Sequence, residues 1–185
     1  PYKIGVNVYP DRPPMPHIGF GADRSLFANR ANGPLEPATC RIERMTMSEI
    51  HERYMRLALA EARAAAQCGE VPIGAVVVAG GRTLARAHNL TETLGDVTAH
   101  AEMQALTSAA SALGGKYLDR CTLYVTVEPC PMCAAALRWA QLGTLVYGAS
   151  DPKRGYTVVS DKLLHPKTVV VSGVAEPECS ALATD

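Results

Sequence analysis

The chain has 185 residues, 48% of them hydrophobic, and its 18 basic and 18 acidic side chains give a formal net charge of zero. That length forms one domain with some additional chain, enough to bury a real core. A balanced charge argues against a protein that grips nucleic acid mainly through phosphates. No apolar run approaches the ~20 residues a spanning helix needs, and the start shows no basic-then-apolar leader, so the expectation is a cytoplasmic protein with no membrane partner.

Residues 1–45 hold seven of the thirteen prolines, Pro1, Pro10, Pro13, Pro14, Pro16, Pro34 and Pro37. Proline at that density blocks helices and strand ladders, so this stretch reads as an extended or disordered extension, or as upstream sequence foreign to the domain. The folded domain, 46–185, opens at the capping box Thr46-Met47-Ser48-Glu49. Ile50, Tyr54, Leu57, Ala58 and Ala62 follow at helical spacing, and Gly69 marks the stop. Val71 to Ala79 reads as a buried strand interrupted by Pro72 and Gly74, and Gly80-Gly81 as a hairpin turn into a return strand over Arg82 to Ala87. A polar loop, His88 to Thr98, leads to His100. The next helix spans Ala101 to Leu113 and stops at Gly114-Gly115. Then come a strand over Thr122 to Val127, a helix over Pro131 to Leu142 and a strand over Thr144 to Tyr147. After a polar loop the pattern gives a strand over Thr168 to Val171 and a helix beginning at Glu176. Helices alternating with strands predict an α/β layered domain, one sheet of about five strands with helices on both faces.

One stretch organises this chain. It opens with His100-Ala101-Glu102 and closes with Pro129-Cys130-Pro131-Met132-Cys133. Two thiols three residues apart and one imidazole are the three ligands a catalytic zinc keeps, with a fourth position left for water. Glu102 is a carboxylate placed to handle protons beside it. Cysteines in a C-x-x-C with an upstream histidine read as metal ligands in a non-secreted chain. On a helix the two thiols, at i and i+3, share a face near a positive helix end that favours thiolate. His100 and Glu102, two apart, would diverge by about 200° on a helix, and spacing alone does not bring them together. A structural knot would call for a fourth protein ligand, with Cys121, His88 and Cys68 as candidates; a redox motif would leave His100 and Glu102 unexplained. The spacing is the established signature of zinc-dependent nucleobase deaminases, matched here and not newly found.

With these blocks, and with Glu70-Val71-Pro72-Ile73-Gly74-Ala75-Val76 and Ala87-His88-Asn89, residues 50–183 resemble the bacterial tRNA adenosine deaminases of the cytidine deaminase-like superfamily. The resemblance implies a three-layer α/β/α sandwich around a five-stranded mixed sheet. It implies one zinc per chain on His100, Cys130 and Cys133, and Glu102 carrying protons from the attacking water to the departing ammonia. It also implies a flipped-out adenosine held by Asn89 against Pro72 and Ile73, with Ala101 among the substrate contacts. Asp151, Lys153 and Arg154 would meet the RNA backbone of a tRNA anticodon stem-loop, and the enzyme would be a homodimer. A helix that commonly extends the family's C-terminus is expected to be cut short here. The competing readings are a free-base deaminase of the guanine deaminase kind and a non-catalytic zinc-folded partner subunit. Asn89 and Asp151 also suit plain turns, Lys153 and Arg154 a solvated loop tip, and Trp139 a core or dimer-interface position.

Overall fold

The computed structural model describes residues 45–183. Most of the proline-rich extension lies outside the described residues, and so does what the sequence suggested for it. Helix α1, Met47–Gln67, starts where the capping box places it: Thr46 Oγ1 accepts from the Glu49 amide at 3.3 Å, and the Thr46 amide donates to Glu49 Oε2 at 2.7 Å. Strands β1, Gly74–Ala79, and β2, Arg82–His88, form the predicted hairpin. A short helix α2, Thr91–Leu94, sits in the stretch that reads as loop in the sequence, followed by α3, Ala101–Leu113. Then come β3, Cys121–Val127, α4, Pro131–Trp139, β4, Thr144–Ala149, a 3-10 turn at Tyr156–Val158, β5, Val169–Val171, and α5, Glu176–Ala183.

The sheet order is β2-β1-β3-β4-β5. β1 runs antiparallel to β2 and β3, whereas β3, β4 and β5 run parallel, giving the expected five-stranded mixed sheet. Strand periodicity sends alternate residues of β1 to opposite faces. Ala75 and Val77 join Ala101, Ala105, Ala134 and Leu137 of α3 and α4. Val76 and Val78 join Tyr54, Met55 and Ala58 of α1, together with Cys179 of α5. The result is helix, sheet and helix in three layers, with two cores.

Several strand ends differ from the sequence reading by one or two residues, and two boundaries differ by more. Regular pairing begins at Gly74 and not at Val71, which is 56% exposed; Val71, Pro72 and Ile73 instead cross the sheet end as irregular chain, because proline cannot donate to a ladder. Helix α4 ends at Trp139 and not at Leu142, since Gln141 adopts φ 53°, a left-handed conformation that stops the helix without a glycine. At Gly74, a Cβ would overlap the backbone of Ala58 and Ala62. The missing side chain is what lets α1 lie directly on β1.

Candidate active site

Two helix starts converge at the C-terminal side of the sheet's centre. His100 is the N-cap of α3, with extended backbone at φ −66° and ψ 153°. It is therefore not on the helix, and the 200° divergence from Glu102 does not apply: both residues line one cavity. Cys130 occupies the same position on α4, as N-cap at φ −69° and ψ 166°, with Pro131 opening the helix. Cys133 follows in the first turn and is fully buried.

The ligand atoms of His100, Cys130 and Cys133 lie within 4.8 Å of one another. His100 Nδ1 is 3.6 Å from Cys130 Sγ and 3.5 Å from Cys133 Sγ. A tetrahedral zinc with Zn–S of ~2.3 Å and Zn–N of ~2.0 Å sets sulfur and nitrogen about 3.5 Å apart, so the donor set has the right elements and the right edges. Hydrogen bonding from Cys133 holds the Cys130 thiol below its ordinary range, while the same contact and burial push Cys133 up. Among the described residues the group closes at three. Cys121 belongs to the sheet core, Cys68 is exposed, and His88 Nδ1 pairs with Glu61 Oε2 at 3.1 Å. None of the three candidate fourth ligands joins it.

Glu102 is buried to 3% exposure, and its Oε2 has no hydrogen-bond partner. Such an atom is costly unless something polar meets it. Burial pushes its carboxyl pKa upward, toward the range where a carboxylate both takes and gives protons. Both facts fit a site that receives a metal ion and a water.

These groups open onto a cavity of about 260 Å³ whose lining includes Pro72, Ile73, Asn89, His100, Glu102 and Cys130, together with Asp151 and Arg154. Ile73 and Asn89 are tied together, the Asn89 amide donating to the Ile73 carbonyl at 3.1 Å. Ala101 is buried in the first turn of α3 and is not among the residues that line the cavity. Lys153 likewise stands outside the lining. Asp151 Oδ1 accepts from the amides of Lys153 and Arg154 at 3.0 and 2.9 Å, the turn-forming use of that side chain.

Two buried carboxylates had no role in the sequence reading. Glu70 accepts from the Asn89 side chain, the Thr91 hydroxyl and the amides of Glu92 and Thr93. Glu128 accepts from the Asp151 amide and from the amide and hydroxyl of Thr157; a Cβ on Gly155 would overlap its carboxyl. Each ties down one loop beside the cavity. Their signal in the sequence was an acid set directly before Val71-Pro72 and before Pro129-Cys130, where the neighbours are apolar.

The three layers, the mixed sheet and a His-Cys-Cys cluster beside a buried glutamate define a deaminase of the cytidine deaminase-like class. Residues 49–172 match the family model described as MafB19-like deaminase, and the chain belongs to that family. More narrowly, it belongs with the tRNA-specific adenosine deaminases: it is 46% identical to the Bacillus subtilis protein of that description, over 75% of this chain and 87% of that one. A solved structure from work on A-to-I editing by tRNA:A34 deaminases at the wobble position is 46% identical, with a TM-score of 0.66 over 70% of this chain and 98% of that chain. The guanine deaminase of Bacillus subtilis is more distant, 34% identical with a TM-score of 0.52 over 63% of this chain and 71% of that one.

Proposed function

We propose that the protein hydrolyses adenosine to inosine at the wobble position of a tRNA anticodon, in the cytoplasm, using one zinc held by His100, Cys130 and Cys133. The observation that carries the chemistry is the three-member donor set with the unpartnered Glu102 Oε2 beside it. A zinc ion held there would act as a Lewis acid and acidify the attacking water. Glu102 takes one proton from the attacking water and delivers it to N1 of the adenine. As the oxygen becomes the C6 carbonyl, Glu102 moves the second proton to the amino group, which leaves as ammonia. Pro72 and Ile73 wall the base, and Asn89 holds it by a hydrogen bond. Asp151 and Arg154 in the cavity lining meet the RNA that carries it, with Lys153 farther out on the same turn.

An adenine already unstacked in a loop costs little to extrude, which suits a chain with no net positive charge. The closer likeness to tRNA-acting relatives favours this substrate over free guanine. The test incubates the zinc-loaded protein with an anticodon stem-loop bearing a wobble adenosine, beside free guanine. Inosine in the stem-loop with little xanthine is the expected result. Faster turnover of guanine overturns the substrate assignment, and metal analysis far from about one zinc per chain overturns the site.

A further inference from the structure

We propose that Glu70 is a positioning residue for this deamination: it locks the side-chain amide of Asn89 so that Oδ1, a hydrogen-bond acceptor, is the atom offered to the substrate. The proposal rests on the proposed function, since it concerns the cavity in which that substrate would lie.

The geometry dictates the orientation. Glu70 is only 4% exposed, closed over by the loop it holds. An ionised carboxylate only accepts hydrogen bonds, and four donors converge on this one. Thr93 N is 2.7 Å from Oε1, while Glu92 N, Asn89 Nδ2 and Thr91 Oγ1 are 3.2, 3.1 and 3.3 Å from Oε2. Burial alone would raise its pKa, but hydrogen bonds from the Thr93 and Glu92 amides and from Asn89 outweigh that and hold it at about 2. It is therefore charged at neutral pH. The Asn89 amide must present nitrogen to it, because oxygen facing a carboxylate would be repelled.

The second hydrogen on that nitrogen is also committed. Asn89 Nδ2 donates to Thr91 Oγ1 at 2.9 Å, and the Thr91 hydroxyl, having accepted there, spends its own proton on Glu70. The three side chains close a ring with no donor left over. Asn89 Oδ1 has no hydrogen-bond partner among the described residues, and Asn89 lines the cavity. An asparagine free to turn would offer donor or acceptor indifferently; this one offers the acceptor alone. The substrate group it meets is thus an N–H or O–H.

The test is a double-mutant cycle on zinc-loaded protein with the anticodon stem-loop. Glu70→Ala removes both acceptor oxygens, so the ring opens and Asn89 is released. We expect Glu70→Ala to lower kcat/KM by about tenfold or more with zinc content unchanged, chiefly through a raised KM. In an Asn89→Ala background the same substitution should change kcat/KM by less than about twofold, because the residue it orients is gone. An equal loss in both backgrounds means Glu70 acts only through stability and overturns the proposal; no loss in either also overturns it. Should the Glu70 variant not fold, wild-type protein still decides. The side-chain amide protons of Asn89, observed by NMR, should exchange far more slowly than those of a free asparagine, and exchange as fast as the free amide overturns the lock. If the wild type leaves the stem-loop untouched while these protons are protected, it is the proposed function that has failed and not the Glu70–Asn89 contact.

Discussion

A buried carboxylate with one oxygen unpartnered beside a cavity is poised to act, and Glu102 is the residue on which the proposed reaction turns. Glu102→Gln keeps the size and burial of the side chain but cannot carry a proton. Turnover is expected to fall by ~100- to 10,000-fold, the span general acid–base catalysis commonly supplies. Zinc content and melting temperature should stay at wild-type values; turnover within about tenfold of wild type would remove the assigned role. The identity of this residue and of the three candidate ligands was legible in the sequence, because each is fixed by chemistry and spacing. Their convergence was not. It depends on His100 having extended backbone at the N-cap, a choice of two dihedral angles at one residue that no spacing rule reports. Glu70 stayed illegible for a different reason. Its donors are 19 to 23 residues away, and only the fold brings them to it.

At the scale of elements, the helix-on-sheet contact at Gly74 and the loop around α2 behave differently under stress. Gly74→Ala would press a methyl group against the backbone of α1 at Ala58 and Ala62, and backbone cannot step aside as a side-chain tip can. A loss of about 1–3 kcal/mol or more is expected from denaturant unfolding, the range for overpacked cores; a neutral variant would mean that α1 lies farther from β1 than described. The loop depends on charge. Glu70 has a folded pKa of about 2, below its ordinary 4.5. The stability it lends is therefore complete above about pH 4.5 and lost as pH falls toward 2. Hydrogen exchange at the Glu92 and Thr93 amides should quicken across that window, and the Glu70→Gln variant should show no such step. The element types were legible from periodicity and turn residues. Helix α2 was missed because Thr91–Leu94 is too short to show a period, and it stands where it does with its first amides held by Glu70.

At the scale of the whole molecule, one exposed apolar surface among the described residues bears on assembly. Trp139 is 82% exposed at the end of α4, beside Leu106, Tyr117, Ala136 and His165 around a surface hollow of about 690 Å³. The core alternative for Trp139 is thus excluded. We propose that a second copy of the chain covers this face, in keeping with the homodimer the family resemblance implied. Trp139→Glu should shift the mass measured by light scattering from two chains to one, and a wild type already measured as one chain would overturn the pairing. The overall architecture was the most legible property of the sequence, since alternating helices and strands leave few layered solutions. The strand order β2-β1-β3-β4-β5 was not, because periodicity shows which residues are buried and not which strand lies beside which.

That strand order also sets a sequence in time. His100 and Cys130 are separated by α3 and β3, and β3 is the strand that joins the antiparallel hairpin to the parallel half of the sheet. Until β3 has threaded between β1 and β4, the two helix starts have no common anchor, and the three donors are scattered along more than thirty residues of chain. Capture of a metal by these three donors would therefore follow long-range strand pairing, which is itself slow. A nascent chain emptied of zinc should collapse, pair its strands and wait, with the ion arriving to a cradle already shaped.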